Sequence, residues 1–191
     1  MILLNKNKKS IYGCSCHSFT LVELMTVIVI IAVILGITIP AFNGFLGRSS
    51  VDAATSMVAA ELRIARAQAA QRRTEVGVAF LDKGTAFQAF YEKSTNVFEW
   101  LPGSKKEFLP KGALVPLSET SLTLGSYTIA GTAAISGILF QKNGVPETSG
   151  ANIKIYEAVL DAGGNVLMLN PNSHTTLTLN NYSGIVKITK E

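Results

Sequence analysis

Cysteine is missing from this chain after residue 16. The two that occur, Cys14 and Cys16, leave the rest of the chain unable to form an internal disulfide. Cys-x-Cys could supply half a metal site, but no second half-site follows. A lipoprotein reading fails too, because the long apolar run follows these cysteines instead of preceding them. Charge is also missing over a long stretch, with no Asp, Glu, Lys or Arg between Glu23 and Arg48. Acid is missing from residues 1–18, which carry Lys6, Lys8 and Lys9. With those three set aside, 14 of the 17 basic residues remain against 13 acidic ones. The body is therefore near neutral, and no global field draws it to nucleic acid. No Gly-rich phosphate loop, metal-ligand spacing or nucleophile elbow is present. His174, the one histidine after residue 17, stands in a Ser/Thr-rich segment and reads as an exposed strand or loop residue. Glu157 and Asp161 share a strand beside a Gly-Gly turn, a weak basis for an acid–base pair. These absences point away from an enzyme and toward a chain with no cofactor and no metal.

What is present begins at Ser18-Phe19-Thr20-Leu21-Val22-Glu23. A carboxylate stands at the very start of what otherwise reads as a membrane helix. That placement is costly in hydrocarbon and calls for a partner. Phe19 to Ile39 is 21 residues, the length that spans a bilayer. A secretory signal runs basic region, apolar region, then small-residue cut site. Here the small residue Ser18 comes before the apolar run, so a cut at Ser18–Phe19 leaves the hydrophobic segment on the product. The lysines put the N-terminus on the cytoplasmic side by the positive-inside rule.

This arrangement resembles the class III signal of type IV pilins and type II secretion pseudopilins. The matching residues are Phe19-Thr20-Leu21-Val22-Glu23, the aliphatic run Leu24–Ile39, and Pro40. Ser18 stands where that superfamily usually has Gly. The resemblance implies cleavage after Ser18 by a prepilin peptidase and N-methylation of Phe19. It implies that Glu23 pairs with the N-terminal amine of a neighbouring subunit as it enters a filament. An ammonium there offsets much of the cost of a carboxylate at membrane depth. Pro40 has no amide hydrogen and crowds the carbonyl of Gly36, itself a poor helix former. Gly36–Pro40 is thus a weak point, either a hinge or a static kink.

From Val51 the pattern becomes amphipathic. Val51, Ala54, Val58, Leu62, Ala65 and Ala69 recur at spacings of three and four, one face of a helix. The spacing predicts a helix to about Arg73–Thr74, roughly 80 Å from Phe19 at 1.5 Å per residue. Within it, Leu62, Ala65, Arg66, Ala69 and Arg72 resemble the Leu-x-x-Ala-Arg-x-x-Ala-x-x-Arg signature of GspH/FimT minor pseudopilins. Arg63, Arg66, Arg72 and Arg73 read either as a solvated face or as phosphate contacts.

After Thr74 the period switches toward two. Val76–Leu81, Ala86–Glu92, Ile135–Gln141, Ile153–Leu160, Thr175–Leu179 and Ile185–Ile188 read as strands. Asp82-Lys83-Gly84 and Lys142-Asn143-Gly144 read as turns. Pro102–Pro116 reads as a loop with one short strand. Ile138–Gly144 and Gly184–Ile188 again resemble GspH/FimT proteins. DNA-binding members carry Gly-Arg-x-Arg at the tail, where this chain has Gly184, Ile185 and Lys187. Phe87, Phe90, Tyr91, Phe98, Trp100 and Phe108, interleaved with lysines, read as core packing or as a stacking platform for single strands.

The expected fold class is α+β and type IV pilin-like. A long N-terminal helix, transmembrane in its first half and amphipathic in its second, packs on a C-terminal antiparallel β-sheet or sandwich. The expected divisions are a leader at 1–18, an assembly helix at 19–40, its continuation at 41–74 and a β-rich domain at 75–191. The expected function is that of a minor pseudopilin in a type II secretion system. Its partners would be the prepilin peptidase, other pilins or pseudopilins and an inner-membrane assembly platform. It would sit as a single-pass protein of the inner membrane with its C-terminal domain periplasmic. Two alternatives stand beside this: a type IV pilus minor pilin for assembly or DNA uptake, using Lys187, Arg66, Arg72 and Arg73, and a membrane-anchored binding domain that never polymerises.

Overall fold

The computed structural model describes residues 20–118, 124–148, 150–171 and 174–190. Ser18, Phe19 and the leader at 1–18 lie outside the described residues. The chain divides into two compact units between Phe42 and Asn43. A helix, α1 (Leu21–Arg72), contributes to both.

In the first unit α1 is apolar all round. Leu21–Thr38 has a mean hydropathy of 2.7, and none of it is buried. Ile28, Ile30, Val33 and Leu35 are each more than half exposed. The hydroxyls in this stretch turn back to the helix: Thr26 Oγ1 donates to the Glu23 carbonyl at 2.9 Å and Thr38 Oγ1 to the Ile34 carbonyl at 2.7 Å. Their polarity is satisfied internally, as an apolar solvent requires. The backbone of α1 passes through Gly36 and Pro40.

In the second unit the same helix buries one stripe. Val51, Ala54, Val58, Leu62, Ala65 and Ala69, the six residues the spacing selects, are all buried. Burying Leu62 alone contributes about 2 kcal/mol. The helix ends at Arg72, and Arg73 takes a left-handed φ of 53°, the conformation of a helix C-cap.

The first sheet holds β1 (Val76–Leu81), β2 (Ala86–Ser94), β3 (Val97–Trp100), β4 (Glu107–Phe108), β6 (Gly125–Ile129) and β7 (Thr132–Phe140). β1 pairs both β7 and β2, β7 pairs β6, β6 pairs β3, and β3 pairs β2. The sheet therefore closes on itself as a small five-stranded ring, with β4 hung on β2. The closing contact is parallel, Phe98 opposite Ile129, and is pinned by the Ala130 N–H donating to the Phe98 carbonyl at 2.9 Å. This departs from the purely antiparallel expectation. Phe90, Phe98 and Tyr127 meet inside the ring with centroids 5.2–5.6 Å apart, at the tilted and edge-to-face angles aromatic pairs prefer. Two glycines make room for them. A Cβ on Gly77 would lie 2.6 Å from the Phe90 ring, and one on Gly137 would lie 2.6 Å from the Val78 carbonyl.

The second sheet runs in the order β11 (Val186–Lys190), β10 (His174–Leu179), β8 (Asn152–Leu160), β5 (Ala113–Leu114), with β9 (Val166–Met168) also paired to β8. The main core lies where the helical stripe meets both sheets, through Val76, Val78, Phe80, Ile138, Phe140, Ile153, Ile155, Leu177 and Leu179. β1 thus buries both faces: Val76, Val78 and Phe80 toward this core and Ala79 toward the ring interior. Val-Gly-Val-Ala-Phe-Leu has no polar residue for that reason.

All six expected strands are found, with ends shifted by up to three residues. Pro102–Pro116 holds two short strands, β4 and β5, where one was expected. β3, β6 and β9 were not expected. They are short, and their burial comes from partners distant in sequence.

Candidate assembly site

Glu23 is the third residue of α1, and Thr20 sits just before the helix begins. The Thr20 hydroxyl accepts the Glu23 N–H at 3.2 Å, and the Thr20 carbonyl accepts the Leu24 N–H at 3.2 Å. Thr20 is the N-cap, and Thr-x-x-Glu is the spacing of a capping box. A carboxylate in the first turn also meets the positive end of the helix dipole, worth about 0.3–1 kcal/mol. Sequence reasoning missed this cap, although Thr20-x-x-Glu23 carried the signal. The Glu23 side chain is exposed and forms no ion pair among the described residues. The arrangement is an exposed apolar helix with a single carboxylate at its start. Such a surface buries its area only against lipid or against other apolar helices, and its charge needs a cation from elsewhere.

The four nucleic-acid candidates lie on different elements. Arg72 is the last residue of α1, Arg73 follows it as the C-cap, and both are exposed. Lys187 is exposed on β11, opposite Thr178. Arg66 is half-buried and packs under two turns. A Cβ on Gly144 would meet its Cγ at 3.4 Å, and one on Gly184 its Nε at 3.0 Å. Both glycines have positive φ, 78° and 64°. Three separate motifs, the helix arginine, the Asn-Gly turn and the Gly184 tail, therefore meet at one point. Arg66 spends its stem on packing.

The aromatic cluster is mostly core. Phe87 and Phe90 are buried, and Phe98 and Trp100 pack against the ring interior. Phe108 is 62% exposed, with the Lys106 ammonium 5.3 Å from its ring centroid. His174 is half-buried at the start of β10 and stacks on Tyr156 at 4.9 Å, in contrast to the exposed residue expected. Asp161 lies past the end of β8, in the turn. Its carboxylate accepts the Asn165 N–H at 2.8 Å and the Asn165 amide at 3.1 Å, which hold it below the usual carboxylate range. It is a turn-forming residue.

Burial, and then Glu107 nearby, raise the Glu61 carboxyl. Burial, Glu92 and Glu147 raise that of Glu75. Burial and the hydrogen bond that Tyr127 donates to Glu147 at 2.9 Å raise the Tyr127 phenol. Among the described residues no group of three His, Cys, Asp or Glu side chains could hold a metal.

Comparison with known proteins agrees with this geometry at both ends of the chain. Residues 14–39 match the prokaryotic N-terminal methylation motif, and residues 54–183 match the type II transport protein GspH family. The first match implies processing by a prepilin peptidase and association with other pilins. Together they describe a pilin-like subunit, a structural rather than catalytic class. Among solved structures, the chain is similar to the type IV minor pilin FimU of Pseudomonas aeruginosa. The identity is 15% and the TM-score 0.45, over 77% of this chain and 92% of that one. No curated protein matches the chain in sequence.

Proposed function

Since this chain belongs to the type II transport protein GspH family, we propose that it is a minor pseudopilin of a type II secretion system. The prepilin peptidase cuts between Ser18 and Phe19, removing residues 1–18, and methylates Phe19. Residues 19–40 then hold the protein in the inner membrane, with the N-terminus cytoplasmic and the domain at 75–191 periplasmic. Lys6, Lys8 and Lys9 support that orientation. An inner-membrane platform moves the subunit into a short filament with other pseudopilins. The apolar helix exchanges lipid for neighbouring helices, and Glu23 meets the amine of a neighbour's first residue.

The observation that carries this reading is the exposed apolar surface of Leu21–Thr38 headed by the one carboxylate of Glu23. An ordinary anchor has no need of that charge, and a subunit that must register against a neighbour's amine does. The test compares extracellular proteins from a strain lacking the gene, its complemented parent and a Glu23→Ala variant. The expected result is retention of secreted proteins in the deletion strain and reduced filament incorporation of the variant. An unchanged secreted set moves the protein to a type IV pilus. Undiminished incorporation of Glu23→Ala removes the electrostatic joint.

A further inference from the structure

A cavity of about 400 Å³ lies in the second unit. Glu61 and Gln68 line it from the second part of α1, Glu107 lines it from β4, and residues 101–105 form the remaining wall. Gln68 follows Glu61 by two helical turns, so both stand on one face. The loop wall is held in place by β2. The Leu101 N–H donates to the Ala89 carbonyl at 3.1 Å, and the Ser104 N–H donates to the Leu101 carbonyl at 2.9 Å. The Ser104 hydroxyl accepts the Ala89 N–H at 3.2 Å. The cavity is therefore preformed, and its size is in the range of small binding sites.

Acceptors gather there without donors. Gln68 Oε1 is shielded from solvent and has no hydrogen-bond partner, a costly state for a buried amide oxygen. Glu61 is half-buried and Glu107 exposed, and neither forms an ion pair among the described residues. Their charges act on each other, since Glu107 adds to the burial that raises the Glu61 carboxyl. Lys105 is the one cation of the lining, but it is exposed and pairs with neither. Two carboxylates and a buried oxygen thus lack both donors and a countercharge. A guanidinium supplies both: it has N–H donors in a planar fork, no acceptor, and a weakly held hydration shell. A metal ion such as Ca²⁺ takes more oxygens than these three. Among the described strands β4 pairs only β2, so its other edge is open to an extended segment of a partner beside Glu107. We propose that this cavity receives an arginine side chain of a partner protein. The inference goes beyond the secretion reading and does not rest on it.

The test is a saturation-transfer NMR titration of the full chain in uncharged detergent. The probe is Nα-acetyl-arginine methylamide, which carries the guanidinium and no charged termini. The expected result is saturable binding about tenfold tighter than that of the citrulline counterpart, the size of one charge-assisted hydrogen bond. Equal binding of the two overturns the inference, and so does equal or tighter binding of the lysine counterpart. Glu107→Gln, at an exposed position, is expected to weaken binding about tenfold. Glu61→Gln is expected to weaken it likewise while the free chain keeps or gains thermal stability, which separates lost binding from lost folding. Unchanged affinity in both variants overturns the inference. Free arginine distinguishes the source, because its α-carboxylate would meet the same acids. Weaker binding of free arginine than of the blocked form supports a protein partner, and tighter binding overturns that source in favour of a small molecule.

Discussion

The two halves of α1 are both rich in aliphatic residues, yet they solve different problems. Along Leu21–Thr38 every side of the helix is exposed and apolar. Along Val51–Ala69 one apolar stripe is buried, and Asp52 and Arg63 lie off it. The difference lies in where the partner is. The second half finds its partner in the sheets of the same chain, so its stripe is as wide as the surface that covers it. Among the described residues the first half is covered by none, so its circumference awaits lipid or other helices.

That comparison predicts a large asymmetry. Leu62→Ala empties part of the buried stripe and is expected to cost about 2–5 kcal/mol in denaturant unfolding of the full chain in detergent. Ile30→Ala removes an aliphatic side chain from the exposed half and is expected to change the same transition by less than about 0.5 kcal/mol. Similar losses from both would mean the two halves share one core. A smaller effect sharpens the account of the ring. Gly137→Ala drives a methyl against the Val78 carbonyl and is expected to cost about 1–3 kcal/mol, again as a shift of the unfolding midpoint. A neutral result would mean the ring yields where Phe90 and Gly137 meet.

The smallest effect contrasts two carboxylates of one helix. Glu23 is exposed at the helix start, whereas Glu61 is half-buried and held above its usual range by burial and then by Glu107. Folded, Glu61 holds its proton more readily than it does unfolded. Stability therefore falls as pH rises from the ordinary value of 4.5 through the raised one, and the penalty is full above that. Glu61→Gln is expected to raise Tm slightly at pH 7 and to leave it unchanged below that ordinary value. An equal gain at every pH would place its origin in packing.

The helical stripe and β1 were legible because their burial follows a period. Residues three and four apart share a helix face, and a strand covered on both sides is apolar throughout. β3 and β6 were not legible. Val97–Trp100 and Gly125–Ile129 are short, and what closes the ring is one parallel pair separated by 31 positions, Phe98 and Ile129. His174 stood in a polar neighbourhood that suggested exposure, and Tyr156 across the ladder covers it instead. Arg66, Gly144 and Gly184 were each visible as separate motifs, but their meeting was not.

The sequence by itself determined the local features of this protein: the N-terminal methylation motif, the carboxylate at the head of an apolar run, the length of that run and the stripe that follows it. Each depends on residues within a few turns of one another, where spacing alone sets which side chains share a face. Only the tertiary structure decided the closed ring, the glycines that admit Phe90, the stacking of two turns on Arg66 and the cavity that Glu61 and Gln68 share with Glu107. Those depend on which distant segments pack together, and burial summed over the whole core selects that arrangement.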